Sequence, residues 1–371
     1  MTMNFTVSRA VLLKPLQIIS GVVERRQTLP ILSNVLMTVR DNTLSLTGTD
    51  LEIELIGCAL LEQSAEEGAV TVAARKLLDI CRALPDDAQL QVTLEGDQVV
   101  LRSGKSRFTL STLPARDFPS LEKTPFSNEF VIAQSHLKKL FSKVYFAMGQ
   151  QDVRHYLNGA LFDIDQGTIR CVATDGHRLA FTSIDGINTG ENAIRVIIPR
   201  KSILELMRLL DASGQEEATL CVGDNHFRLT THDFIFTSKL ISAQYPDYNK
   251  LIPKLTNNRA IASREALKHA LTRASILSNE KFRGIRLHFD QNALKIVANN
   301  PEQEEAEELV HLDYDGSGME LGFNAAYLLD VVSTLSTENI RCSFSDPNAG
   351  VLIEASDSND SSLYVVMPMR L

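Results

Sequence analysis

Residues 130–148 read FVIAQSHLKKLFSKVYFAM. The stretch starts as a short apolar strand and pivots at Ser135. It then keeps apolar residues at helical spacing, with Lys138, Lys139 and Lys143 at the outward positions. Two relatives stand elsewhere, FTVSRAVLLKPLQIIS over 5–20 and AIASREALKHALTRASI over 260–276. Placing Leu12, Leu137 and Leu267 in register superposes three strand-to-helix entries, with Ser8-Arg9 answering Ser263-Arg264. A repeat that long makes each third one domain, and we expect domains over 1–127, 128–256 and 257–371.

A second entry follows inside each third: VTVAARKLLDICRAL over 70–84, RVIIPRKSILELMRLL over 195–210 and MELGFNAAYLLDVVSTL over 319–335. Arg75-Lys76 answers Arg200-Lys201, and Leu77-Leu78-Asp79 answers Leu328-Leu329-Asp330. Six units therefore fill the chain. Between their helices lie alternating segments (43–47, 98–110, 159–164, 168–173, 226–240, 285–289) separated by turn clusters such as Asp41-Asn42, Gly96-Asp97 and Gln166-Gly167. That is the pattern of antiparallel hairpins, whose apolar face an amphipathic helix covers. The fold class is α+β: three tandem domains, each with two helices on antiparallel sheets. Ser8, Ser135 and Ser263 are expected as N-caps and Pro85 as the stop of the second helix. Pro15, two turns into the first helix, predicts a kink.

The chain has 371 residues, too many for one ordinary core, and is 44% hydrophobic and 22% charged. It has no apolar run of the roughly 18 residues a membrane helix needs, and MTMNFTVSR lacks the apolar segment of a signal peptide, so a cytoplasmic protein with no membrane partner is expected. Cys58, Cys81, Cys171, Cys221 and Cys342 are dispersed among apolar neighbours without a C-x-x-C pair, and read as reduced core residues.

A net charge of -9 argues against a nucleic-acid partner until its distribution is examined. Over windows 8–20, 74–84, 135–147, 200–210 and 263–276 the formal charge is +2 or +3, and over 324–336 it is -1. The six windows together hold +10, leaving -19 for strands and loops. Such residues can simply solvate outer helix faces. Side by side, the helices would instead form one basic surface suited to phosphates without base reading. The acidic run EQEEAEE over 302–308 can likewise be a solvated block, or the complement of Lys105 and Arg107 in SGKSRFTLSTL of the first domain.

No catalytic, metal or cofactor site emerges. Asp175-Gly176-His177 and Asp163-x-Asp165 lack the companions of a hydrolytic or metal site, and Gly316-x-Gly318 lacks a strand-to-helix setting. The tight turn at Gly176 is expected to present His177 and Arg178 to a bound peptide.

The order of FTVSRAVLLKPLQ, LPILSN, STLPARDFP, QDVRHYLNG, TDGHRLA, YPDY, ILSNEKFRG, NNPEQEEAEE and YVVMPMRL resembles the bacterial DNA sliding clamp family, the beta subunits of DNA polymerase III, over the full length. The resemblance implies a head-to-tail homodimeric ring of six domains, helices inside and sheets outside, enclosing double-stranded DNA and acting as a non-enzymatic processivity factor. Its implied partners are the DNA polymerase III alpha subunit, the clamp loader complex, and other polymerases and repair proteins carrying a clamp-binding peptide.

Position by position, the family's DNA contacts fall on Arg26, Arg75, Gln151, His155, Tyr156 and Lys201, with histidine at 155 where a tyrosine is frequent. The partner cleft falls on Leu157, Thr174, Gly176, His177, Arg178, Leu179, Pro246, Lys250, Leu251, Val365, Val366, Met367, Pro368, Met369, Arg370 and Leu371, with lysine at 250 where arginine is common. The dimer seam sets Phe108 and Leu110 against Ile276 and Leu277. It also sets Lys76, Lys105 and Arg107 against Glu302, Glu304, Glu305, Glu307 and Glu308. The competing reading is a repeat-built scaffold that binds only proteins and does not encircle DNA.

Overall fold

The computed structural model describes residues 3–23, 29–121, 125–190, 192–214, 216–254, 258–356 and 360–371; Arg26 lies outside them. The first third runs β1 (Asn4–Ser8), α1 (Arg9–Ile19), β2 (Asn34–Arg40), β3 (Thr43–Thr49), β4 (Ile53–Leu60), then β5 (Gly68–Ala73), α2 (Ala74–Ala83), β6 (Gln89–Glu95), β7 (Gln98–Ser103), β8 (Ser106–Leu113). The second repeats this as β9 (Asn128–Ala133), α3 (Gln134–Val144), β10 (Gly159–Asp165), β11 (Thr168–Thr174), β12 (Arg178–Ile184), then β13 (Ile194–Pro199), α4 (Arg200–Leu209), β14 (Glu217–Val222), β15 (His226–Thr230), β16 (Phe234–Lys239). The third gives β17 (Asn258–Ser263), α5 (Arg264–Ser275), β18 (Gly284–Asp290), β19 (Ala293–Asn299), β20 (Glu305–Asp313), then β21 (Met319–Asn324), α6 (Ala325–Thr334), β22 (Asn339–Phe344), β23 (Val351–Ala355), β24 (Leu363–Val366). Among the described residues each half-domain has one α-helix and four strands.

The chain forms two compact units, Met1–Ser135 with Leu204–Leu240, and His136–Ile203 with Ile241–Leu371. Each holds one 12-stranded sheet. In every domain the two halves exchange their first strands. β1 lies on β6-β7-β8 and β5 on β2-β3-β4, and the same exchange recurs with β9, β13, β17 and β21. Two antiparallel joints then stitch successive domains: β4 to β16 through Ile53–Gly57 and Phe234–Ser238, and β12 to β24 through Arg178–Phe181 and Leu363–Val366.

Two strands in matching positions have no such joint among the described residues. β8 pairs with β7 on one side and touches β5 only through Thr112 and Leu113 on the other. β20 pairs with β19 and touches β17 only through Leu312 and Asp313. The acidic run is both exposed and ordered: its second half opens β20, and Glu304 N–H is fastened to Asn300 Oδ1 at 2.9 Å just before the strand.

Helix entries follow the cap chemistry in part. The hydroxyls of Ser8 and Ser263 accept from Val11 N and Ala266 N, and α2 stops before Pro85. Ser135 is not a cap: α3 already starts at Gln134, whose amide side chain and N–H bond Glu217 O and Glu216 O. α1 continues as one α-helix through Pro15, which is buried against Gly57 of β4; a methyl there would stand 2.8 Å from Pro15 Cβ. The alignment of the second entries shifts by one residue. Ala73 and Pro199 hold the same sheet position, opposite Asn34 and Gly159, so Arg75 answers Lys201 rather than Arg200.

Three basic residues assigned to the wet helix faces work inside the fold. Arg9 donates to Cys81 O and Asp86, and Arg264 to Thr337 O and Glu265. Lys143, with 8% of its side chain exposed, is paired to Asp360 at 3.0 Å and donates to Thr334 O. The basic face is smaller than the sequence count, because carbonyls at neighbouring helix ends attract these cations inward. Cys58 is exposed on β4, contrary to the expectation of a core residue, whereas Cys81, Cys171 and Cys221 are buried. Burial pushes the Cys81 thiol up to about 11, despite Arg9.

Candidate functional site

A cleft of about 330 Å³ opens in the second compact unit, lined by Arg154, Tyr156, Leu157, Thr174, Gly176, Arg178, Leu179, Pro246, Leu251, Val365 and Met367. Its floor is a buried cluster of Leu161, Val172, Leu179, Ile197, Tyr245, Tyr248 and Val365. Leu251 and Met367 stand at the rim with about half their surface exposed, at 48% and 42%. An apolar trough with an adaptable methionine at its edge suits apolar side chains of a short peptide.

The turn between β11 and β12 shapes one wall. Thr174 Oγ1 donates to Arg178 O at 2.6 Å and accepts from Gly176 N, while one Asp175 oxygen accepts from the N–H groups of His177 and Arg178. Gly176 sits at φ +89° with the Arg154 guanidinium over it, so a side chain there would be both strained and blocked. Arg178 lines the cleft but is largely withdrawn from solvent. Its side chain is 10% exposed, paired to Asp175 at 3.1 Å and to Asp330 at 2.5 Å, and donates to Phe146 O. Its guanidinium also lies 4.5 Å from the Tyr327 ring centre. The turn instead exposes His177, which stacks on Tyr327 at 6.0 Å.

Arg154 is the cleft residue that sequence reading missed. Its signal was the pair Asp152-x-Arg154, now a two-pronged salt bridge that also reaches Asp175 O. Hydrogen bonds from Arg154 hold the Asp152 carboxyl down at about 2. Asn158 braces the same loop through Asp152 N and O, leaving Gln151 at φ +54° and His155 exposed. Tyr156 faces the cleft and meets Tyr245 edge-on at 6.5 Å.

The C-terminal residues divide. Val365 and Val366 are buried in β24, and Met367 N–H bonds His177 O. Beyond Pro368 the chain turns away: Met369 N–H bonds Gly322 O, and Leu371 packs onto Gly284 and Gly322. Lys250 is paired to Asp247 at 3.5 Å on the surface.

The other expected residues are not among those that line the cleft. Arg75 and Lys201 occupy the second position of α2 and α4, both exposed. Lys76, Lys105 and Arg107 are exposed, Phe108 is half-buried and Leu110 buried. Ile276 is 74% exposed just past α5, beside the half-buried Leu277. On β20, Glu305 and Glu307 are exposed and Glu307 meets Lys295 at 2.6 Å; Glu302 and Glu304 are exposed just before it. Glu308 is already held by both prongs of Arg273. Leu309, 71% exposed on the same edge, was missed because an apolar residue inside a strand reads as core.

Models of the DNA polymerase III beta subunit match residues 3–122 (N-terminal domain), 131–247 (central domain) and 249–370 (C-terminal domain). The chain belongs to the DNA polymerase III beta subunit family. The beta sliding clamp of Pseudomonas aeruginosa is 53% identical over 369 residues and that of Escherichia coli 51%, each match covering 100% of both chains. A crystal structure of the P. aeruginosa sliding clamp bound to griselimycin superposes with a TM-score of 0.96 at 52% identity, over 100% of both chains. The Caulobacter crescentus pol III beta structure gives 0.94 at 34%, also over 100% of both. Three tandem clamp domains and the role of a processivity sliding clamp follow from membership in this beta subunit family.

Proposed function

We propose that two copies of this chain close head to tail into a cytoplasmic ring around duplex DNA, without catalysing a reaction. The cleft then tethers the DNA polymerase III alpha subunit, the clamp loader and other peptide-bearing polymerases and repair proteins. The observation that carries this reading is the pair of unjoined edges. β4–β16 and β12–β24 join successive domains by one rule, and β20 with β8 are the strands left in the corresponding places.

The rule even supplies a register. Glu54, Leu179 and Glu305 hold one hairpin position, opposite Thr49, Thr174 and Asn299. Arg107, Ile235 and Leu363 hold another, opposite Arg102, Thr230 and Glu354. Because Ile56 faces Ile235 and Phe181 faces Leu363, Arg107 of one copy falls opposite Glu307 of the other. Opposite charges directly across a pair of strands favour that register over its slips. Phe108, Leu110, Ile276, Leu277 and Leu309 would supply apolar contact, and Lys76 and Lys105 would face the remaining glutamates.

For DNA, the exposed Arg75 and Lys201 stand at equivalent helix starts, supporting sequence-independent phosphate contact together with Gln151, His155, Tyr156 and Arg26. The scaffold alternative has no use for this repetition of basic residues. The test is topological: load the protein onto nicked circular DNA with a clamp loader, raise the salt, then linearise. Salt-resistant retention on the circle and loss from the linear product is expected; no retention on the circle, or continued retention on free ends, overturns the ring.

A further inference from the structure

The exchanged-strand repeat equates helix ends as well as strand edges. Ser8 and Ser263 hold one sheet position, opposite Gln89 and Asn339, so Gln17 and Ile18 of α1 correspond to Thr272 and Arg273 of α5. Ala73, Pro199 and Asn324 hold another, opposite Asn34, Gly159 and Gly284, so Arg82 corresponds to Arg208 and Ser333, and Asp79 to Glu205 and Asp330.

Between the first and second domains, the position of Arg208 has a definite task. Its guanidinium donates to Gln17 O at 3.3 Å and Ile18 O at 2.5 Å, while Glu205 holds the fork in place through Nε and Nη2. It thereby satisfies carbonyls that the end of α1 leaves without a helical partner, and sets a cation at the negative pole of that helix. Between the second and third domains the position is Ser333, too short to reach, and the donor comes from the opposite side: Lys143 Nζ bonds Thr334 O. Both joints thus carry a cation-to-carbonyl bond between helices, beside their strand pairing.

Arg82 is exposed, and no partner of its guanidinium is found among the described residues. Asp79 stands one turn before it, as Glu205 does before Arg208, and is loosely paired to Arg75 at 3.8 Å. The end of α5 shares one bond with the end of α1, since Ser20 Oγ donates to Gln17 O at 2.7 Å and Ser275 Oγ to Thr272 O at 2.8 Å; it differs in that Arg273 O also accepts from Ile276 N–H at 3.2 Å, which leaves its second lone pair for a donor. An arginine fork without an acceptor and a helix end of the kind that receives one therefore remain on one chain, in the two domains whose strand edges are also unjoined.

We propose that Arg82 of each copy docks on the carbonyl oxygens of Thr272 and Arg273 of the second copy, capping α5 across the seam with Asp79 steadying the fork. This deepens the ring reading and rests on it. The seam then has two separate attachments, a strand pair on the sheet side and a helix cap on the helix side.

The test separates the two. In a Cys58→Ser background, which removes the exposed native thiol, Asp79→Cys with Ile276→Cys mirrors the close approach of Glu205 to Gly21. A short bismaleimide should link this variant covalently across both seams. Arg107→Cys with Glu307→Cys reports the strand register in the same way. Linkage of both pairs supports the proposal; linkage at 107 and 307 alone overturns the helix cap and keeps the ring; linkage of neither overturns both. In solution, Arg82→Ala should raise the dimer dissociation constant about a hundredfold, roughly tenfold for the charged hydrogen bond lost at each of the two seams, with Arg82→Lys in between. An unchanged constant for Arg82→Ala in analytical ultracentrifugation, when Arg107→Glu dissociates the dimer, also overturns the cap.

Discussion

Lys143 shows how one side chain can be read correctly as helical and wrongly as wet. It stands four residues after the exposed Lys139, and nothing nearby in sequence announces Asp360, which approaches from 217 positions away. Burial raises the Asp360 carboxyl, but hydrogen bonds from Ser362 and Lys143 outweigh it and leave the group below the usual carboxylate range. A depressed folded value means that the pair stabilises above the unfolded value of about 3.9 and loses this effect as pH falls through the folded value. Asp360→Asn should therefore lower unfolding stability by about 2–3 kcal/mol at pH 7, because a nearly buried ammonium is left without its counter-charge. Urea titrations should show that deficit shrinking below pH of about 4; a deficit independent of pH would mean that packing, not charge, is lost. Arg178 follows the same logic. Its type and turn were legible, but the distant Asp330 that draws it inward was not; that contact uses the one charged residue of α6.

At the scale of elements, the six strand-to-helix entries were legible because three physical signals coincide there: period-two apolar residues, a cap, and a 3.6-residue apolar stripe. Segments 98–110 and 226–240 each resolve into a hairpin, β7–β8 and β15–β16, since the turns at Gly104 and Thr231–Asp233 interrupt a continuous alternation. Strand exchange between half-domains was not legible, because alternation states which face a residue takes but not which neighbour its strand chooses. The edges β8 and β20 carry a direct test. Arg107→Glu or Glu307→Arg alone should weaken dimerisation in analytical ultracentrifugation, and the double reversal should restore most of it. A double variant no better than the singles would place the two residues out of register.

At the scale of the whole molecule, five of six helix windows were read as basic, and the smaller face left after Arg9, Lys143 and Arg264 turn inward still repeats at Arg75 and Lys201. Weak, sequence-blind phosphate contacts should behave additively. Arg75→Ala with Lys201→Ala should leave the dimer intact while flattening the salt dependence of DNA association by about 0.9 per cation removed, two per chain. An unchanged slope in a salt series of binding measurements would remove both residues from the DNA surface.

The joints β4–β16 and β12–β24 have a kinetic consequence. Both link parts of a single polypeptide, so each closes at a fixed effective concentration however dilute the protein becomes, whereas the seam of the proposed ring closes by encounter between molecules. Dilution therefore acts on one class of joint alone. Tethering two copies through a flexible peptide would make both seams intramolecular, so that neither responds to dilution and the halves stay linked even when both seams open.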